Sequence, residues 1–306
     1  MNYLITIIGP TAIGKTSLSI ALAQHFNCDI VSCDSRQFYK EMKIGTAVPS
    51  DDELAAVPHH FIQNKSIFEN YTVGDFEKEA IAKLDELFKK NNIQIMVGGS
   101  GLYVDAILKG FDNFPEIDNS IREKINYNFE KLGLVYLQQK LNELDPDYYQ
   151  KIAIENPQTV QNPQRMKRFI EVCIGTGRPY SSFLNQKKNE RNFTPIVIGL
   201  EAERAIIYNR INQRVDSMIT EGLVKEAENL FPNKHLNALQ TVGYRELFDY
   251  FEGKTTLDFA AEEIKKNTRR FAKRQLTWFK RTENAKWFDY KTNLNTIVNL
   301  ISNYTE

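Results

Sequence analysis

The chain has 306 residues, 42% of them apolar, which supplies a large core and places it outside the disordered class. Lys plus Arg and Asp plus Glu are both 39, so any affinity for nucleic acid has to come from local clustering of charge. Cys28, Cys33 and Cys173 are odd in number without a C-x-x-C pair, and the four histidines lack metal-ligand spacing; this excludes a disulfide framework or zinc finger and fits a reducing cytoplasm.

The first predicted element is an apolar strand over residues 4–8. It is too short for a signal peptide, and no apolar run approaches the roughly 18–20 residues of a membrane span. A soluble cytoplasmic protein without a membrane partner is expected. Directly after the strand comes Gly9-Pro10-Thr11-Ala12-Ile13-Gly14-Lys15-Thr16, the G-x-x-x-x-G-K-[ST] phosphate loop, followed by a helical pattern over residues 16–26. Its glycines let backbone N–H groups turn inward, and the helix N-terminus adds positive potential. Lys15 neutralises phosphate oxygens, and the Thr16 hydroxyl can ligate Mg2+. The chain is expected to bind a di- or triphosphate.

A second strand over residues 30–33 ends in Asp34-Ser35-Arg36-Gln37, with a carboxylate placed across the crevice from the loop to accept a proton. After a helix over residues 73–90, a third strand, Ile93–Val97, ends in Gly98-Gly99-Ser100-Gly101-Leu102-Tyr103. A motor-type NTPase would place there an Asp that holds Mg2+. Glycines stand instead, permitting close backbone approach. Two classes remain open: a small-molecule kinase using ATP, or an enzyme that uses the loop for a diphosphate leaving group.

From about residue 115 to 192 strand signals vanish and helical segments follow one another, over 117–132, 136–144, 147–154 and 163–175. A further strand over 196–200 returns the chain to the sheet. Strands alternating with helices predict an α/β fold, a P-loop NTPase-like parallel sheet core with an all-helical insertion. The expected divisions are 1–114 for the first part of the core, 115–192 for the insertion, and 193–306 for the second part. Along residues 264–281, Ile264, Phe271, Ala272, Leu276, Trp278 and Phe279 fall in one helical arc of roughly 160°. Lys266, Arg269, Arg270, Lys273, Arg274, Lys280 and Arg281 fall outside it, and no acidic residue interrupts the run from Lys265. A solvated face would mix both signs, so this face is expected to bind a phosphate backbone.

These motifs together resemble the bacterial tRNA dimethylallyltransferase (tRNA isopentenyltransferase) family over about residues 4–288. The likeness is carried by Gly9 to Thr16, Asp34-Ser35-Arg36-Gln37, Lys43-Ile44-Gly45-Thr46-Ala47, Pro58-His59-His60, Gly98 to Tyr103, Gln164-Arg165-Met166-Lys167-Arg168, Leu239-Gln240-Thr241-Val242-Gly243-Tyr244-Arg245, and Arg274 to Trp278. It implies transfer of the dimethylallyl group of dimethylallyl diphosphate to the exocyclic amine of the adenosine 3′ of the anticodon in tRNA. It further implies Asp34, Lys15, Thr16 and Arg214 as catalytic, and the phosphate loop with Mg2+ on the diphosphate. Contacts with tRNA would come from Asp34 to Gln37, Ser100, Arg122, Gln164 to Arg168 and Gln240 to Arg245, with the insertion gripping the anticodon stem-loop. A monomer is expected. The sequence departs from the family pattern at Glu41, Lys43 and Val48, which leaves contacts near that loop open.

Overall fold

A computed structural model describes residues 1–112, 114–184 and 190–305. The chain divides into two compact units, one formed by Met1–Lys109 with Arg191–Glu306, the other by Gly110–Glu190.

The first unit is built on six parallel strands: β1 (Tyr3–Ile8), β2 (Ile30–Ser32), β3 (His59–His60), β4 (Ile93–Val97), β5 (Thr194–Glu201) and β6 (Lys286–Asp289), in the order β3-β2-β4-β1-β5-β6. Between the strands lie α1 (Lys15–Phe26), α2 (Asp51–Ala56), α3 (Val73–Phe88) and α4 (Gly101–Lys109). The strands β1, β2, β4 and β5 match the apolar runs of the sequence. Both edge strands escape it, because two histidines and the tetrapeptide Lys-Trp-Phe-Asp carry no apolar run. The predicted third strand is therefore β4, inserted between β1 and β2.

Strand period decides which side chain faces which layer. Leu4, Ile8, Val31 and Met96 meet Phe76 and Leu84 of α3 and Val104 and Ile107 of α4. Ile5, Ile7, Ile30, Ile95, Ile196 and Ile198 face the other way, onto Leu22 and Ala23 of α1. Helices on both faces explain why these strands read as continuous apolar runs rather than alternating ones. Each buried Ile or Leu contributes about 1.5–3 kcal/mol relative to exposure. The helix starts are written locally. Ser50 with Glu53, and Thr72 with Asp75, form capping boxes that open α2 and α3.

The second unit is helical: α5 (Asn119–Leu144), α6 (Pro146–Glu155), α7 (Pro157–Val160) and α8 (Pro163–Thr176). Gly133 breaks α5 with φ 69°, so the two helices expected on either side of it are both present. Pro at the start of α6, α7 and α8 fits the first helical turn, where its missing N–H costs nothing. Ile125, Leu137, Leu141, Met166 and Ile170 form this unit's own core.

The returning half of the first unit holds α9 (Arg204–Thr220), α10 (Leu223–Leu230), α11 (Tyr244–Phe251), α12 (Leu257–Phe279) and α13 (Leu294–Thr305). Ile297, Val298 and Ile301 of α13 close the apolar layer over α1. Among the described residues, no helix is long and apolar enough to cross a membrane.

Candidate active site

The phosphate loop leaves β1 at Gly9, whose φ is 147° and whose missing Cβ would stand 2.7 Å from the Leu200 carbonyl oxygen. Only glycine fits both demands. Ala12 also has a positive φ, 63°, an unfavourable conformation for an L-residue. It is held by the Arg210 Nε–H, which donates to the Ala12 carbonyl at 2.6 Å. Gly14, with φ 109°, is the N-cap of α1 and supplies no side-chain cap. The first-turn amides of α1 are thus left to an anion.

Lys15 points back across this loop and donates to the Pro10 carbonyl at 2.8 Å. Burial lowers its pKa to about 8; the Asp34 carboxylate acts to raise it and Arg214 to lower it further. Arg214, from α9, donates weakly to the Thr11 hydroxyl at 3.5 Å. It is solvent-exposed at the cavity mouth, and the protein atoms around its guanidinium, with the neighbouring Arg210, depress its pKa in turn. Cations gathered around one loop at mutual electrostatic cost mark a candidate anion site.

Three cavities meet here. One of about 640 Å3 lies over Gly14, Lys15, Thr16, Lys43, Arg210 and Arg214. A recess of about 80 Å3 is bordered by Lys15, Thr16, Asp34 and Gln37. A cleft of about 550 Å3 runs past Asp34, Ser100, Val242, Arg245, Phe271 and Trp278. Arg214 borders all three. Phe271 and Trp278, placed by periodicity on the buried arc of α12, are instead 38% and 37% exposed and form an apolar wall of the cleft.

Asp34 follows β2 in a tight turn, its Oδ1 accepting the Arg36 N–H at 3.1 Å. The Ser100 hydroxyl accepts the Ser35 N–H at 3.1 Å and lies 3.0 Å from the Ser35 hydroxyl. Arg36 donates to the Asn237 and Ala238 carbonyls, and the Gln37 amide to the Thr46 and Ala47 carbonyls. The side-chain donors of Arg36 and Gln37 therefore brace neighbouring loops. Gln240 and Arg245 are exposed, and Thr241 and Val242 partly so, while Gly243 is buried as the N-cap of α11.

Two expected contact residues are corrected. Tyr244 is fully buried, with its hydroxyl on Glu226 at 2.7 Å and its ring filling the space a Cβ at Gly45 would need. Met166 is fully buried in the core of the second unit. Neither side chain can reach a partner. In the same unit Lys167 is nearly buried, its ammonium over the Phe129 ring. Arg122 and Arg168 both pair with the buried Glu171, and Gln164 and Arg165 are exposed.

The glycines after β4 do permit close approach, of the Cys33 and Asp34 backbone at Gly98 and of side chains at Gly99 and Gly101. A Cβ at Gly98 would strike the Cys33 sulfur, one at Gly99 the Gln275 amide, and one at Gly101 the Trp278 indole. Packing of the protein on itself takes the room. Gln275 is central to this arrangement and carried no signal in the sequence beyond its place in a matching segment. Glu226 is a second residue that sequence reasoning missed. Its carboxylate accepts the N–H groups of Lys43, Ile44 and Gly45 at 2.8–2.9 Å, which orders the loop between the cavities.

The cationic face of α12 is narrower than its sequence suggests. Lys265 pairs with Asp216, Lys266 with Glu263, and Lys280 with Glu201, while Arg269 donates to Asn212. Arg270, Lys273 and Arg274 stay exposed, with Arg274 bordering the cleft. Among the positions that depart from the family pattern, Glu41 bonds Ser66 and Ile67. Lys43 pairs with Asp51 at the cavity rim, and Val48 lines that cavity.

Among the described residues, no group of three His, Cys, Asp or Glu could hold a metal ion. The recess offers a hard oxygen donor instead, the Thr16 hydroxyl, beside the phosphate loop. That donor fits Mg2+, which takes one or two protein ligands and completes its shell with water and phosphate oxygens.

Comparison with known proteins is consistent along the whole chain. The IPP transferase family matches residues 37–282. The chain is 74% identical over 301 residues to the tRNA dimethylallyltransferase of Flavobacterium johnsoniae, covering 98% of this chain and 97% of that one. It is 60% identical over 300 residues to that of Christiangramia forsetii, covering 98% and 97%. The crystal structure of the full-length tRNA isopentenylpyrophosphate transferase from Bacillus halodurans superposes with a TM-score of 0.71 at 35% identity, over 100% of this chain and 96% of that one. A eukaryotic dimethylallyltransferase acting on tRNA gives a TM-score of 0.81 at 26% identity, over 99% and 79%. With its phosphate loop, its Asp34 turn and these matches in agreement, the chain belongs to the IPP transferase family, the tRNA dimethylallyltransferases.

Proposed function

We propose that the chain moves the dimethylallyl group of dimethylallyl diphosphate to the exocyclic N6 amine of the adenosine immediately 3′ of the anticodon in tRNAs, releasing diphosphate. The observation that carries this reading is the junction of cavities. An anion site at Lys15 and Arg214 opens, past Asp34, into a cleft with an apolar wall. An allylic carbon–oxygen bond breaks with positive charge on the allyl group and negative charge on the diphosphate. The first-turn amides of α1, Lys15 and Arg214 oppose that negative charge where it develops. Mg2+, held through Thr16, would supply further charge on the leaving group when bound. Asp34 is the group placed to receive the proton of the attacking amine. The acceptor base has to leave its stack to enter the cleft, at a cost of a few kcal/mol.

Incubation with an anticodon stem-loop RNA and either dimethylallyl diphosphate or ATP tests this directly, with nucleosides read by mass spectrometry. The expected product is a prenylated adenosine from the first donor and no change from ATP. RNA-dependent ATP consumption without prenyl transfer would move the chain to the kinase class.

The exposed cations of α12 serve tRNA phosphates in this reading, as do the exposed Gln164 and Arg165 of the helical unit. Reversing Arg270 and Arg274 to Glu should weaken RNA binding and flatten its salt dependence by about one unit of slope per lost phosphate contact. Diphosphate affinity should stay nearly unchanged. A titration in which RNA affinity and salt slope both equal the parent's would make this face merely solvated.

A further inference from the structure

Gln275 is only 5% exposed; it borders the cleft, but both of its polar atoms are taken up by the protein itself. Its carboxamide oxygen accepts the Thr11 N–H at 2.9 Å, and its amide nitrogen donates to the Gly99 carbonyl at 2.8 Å. The ladder between β1 and β4 runs as far as Ile7 opposite Val97, with a last, long bond from the Gly98 N–H to the Ile7 carbonyl at 3.4 Å. Past that point the phosphate loop and the segment after β4 diverge, and the Gln275 carboxamide joins them. From Gly99 the path continues through its neighbour Ser100, bonded to Ser35 next to Asp34. Beyond the sheet ladder, whose last rungs are the Cys33 N–H on the Val97 carbonyl and the Gly98 N–H on the Ile7 carbonyl, Lys15 and Asp34 are thus linked across the crevice by a chain of bonds whose middle member is one side chain.

We infer that Gln275 is a positioning residue for prenyl transfer: it sets the spacing between the diphosphate end of the site and the end that holds the acceptor base. This rests on the proposed function. Reacting atoms have to approach within roughly 3–3.5 Å, and a misplacement of about 1 Å can cost about 10²-fold in rate. A side chain whose polar groups both serve the protein's own backbone can therefore control the rate while leaving both affinities intact. The site also demands this residue type. Gly99 leaves room for the carboxamide, and an apolar side chain would leave a partly buried N–H and a buried carbonyl unpaired.

The test uses the full-length protein with Gln275→Met, which keeps the length and loses both bonds. Gln275→Glu keeps an acceptor for Thr11 and loses the donor to Gly99. Buried Ile264, Ala272 and Phe279, with the Trp278 indole N–H on Asp105 at 2.9 Å, keep α12 docked in both. Single-turnover transfer at saturating donor and stem-loop RNA should fall by about 10–100-fold in the Met variant and clearly in the Glu variant. Dissociation constants for inorganic diphosphate and for the RNA should stay within about threefold of the parent. Amide exchange at Thr11 should speed up in Gln275→Met, a readout independent of activity. A rate within about threefold of the parent in both variants overturns the inference, as does a rate loss no larger than the loss of either affinity. Unchanged exchange at Thr11 overturns it equally. Absence of transfer by the parent would instead discard the functional reading, with amide exchange still deciding whether Gln275 braces the loop.

Discussion

Replacing Lys15 by alanine should abolish measurable prenyl transfer, a loss of about 10²–10³-fold or more, since removing one preorganised donor to a developing anion typically costs that much. Lys15 is held toward the Pro10 carbonyl at 2.8 Å and is not salvaged by a neighbour of equal reach; Arg214, the nearest alternative, meets the loop only through a long contact at 3.5 Å. The fold should be unharmed, because removal of a charged amine from a buried place relieves a desolvation cost. The same residue gives the site a pH signature. Burial lowers Lys15 to about 8 in the ligand-free protein, below its ordinary value of 10.5. A bound diphosphate favours the charged ammonium, so its pKa rises on binding and binding takes up a proton. Affinity is therefore greatest below about pH 8 and falls as pH rises through that value, by up to about tenfold per pH unit until the bound-state pKa is reached. Calorimetry of diphosphate binding in two buffers of different ionisation enthalpy measures that uptake. Affinity independent of pH up to about 10 would show that Lys15 either keeps its ordinary pKa or lies outside the diphosphate contact.

Asp34→Ala should lower turnover by about 10²–10⁴-fold, the usual worth of general-base help. The adenine amine is a weak nucleophile because its lone pair is delocalised into the ring, so a carboxylate that accepts its proton matters as the new bond forms. Asp34 borders both the recess beside Lys15 and the larger cleft, and its Oδ1 is fixed by the Arg36 N–H. Asp34→Asn keeps that turn and removes the base; it should lose activity to the same order, which separates proton acceptance from loop geometry. Diphosphate affinity should change little near neutral pH. The Asp34 charge raises the Lys15 pKa, so in either variant the alkaline fall in diphosphate affinity should begin at lower pH. Turnover within about threefold of the parent would leave Asp34 as a turn residue only.

What the amino-acid sequence by itself determined is local. Apolar runs define β1, β2, β4 and β5, capping boxes open α2 and α3, and Gly9 and Gly14 stand where a turn around phosphate needs positive φ. The phosphate loop and Asp34 lie at ends of strands that periodicity alone locates, so the two poles of the candidate site are legible. Tertiary structure decided the rest, because those properties depend on partners far away in the chain. Tyr244 and Met166 lie in polar, motif-like surroundings yet are buried, since Gly45 and the helical core receive them. Phe271 and Trp278 read as core by helical period but border the cleft, the Trp278 indole lying at its edge against Gly101 and Asp105 of α4. Lys265, Lys266, Arg269 and Lys280 find acids or amides on α9, on β5 or one turn away, which no single segment foretells. Gln275 meets Thr11 across 264 residues of chain and Gly99 across 176. Hydrogen bonds of such separation leave no periodicity in a sequence, and only the folded sheet brings their ends together.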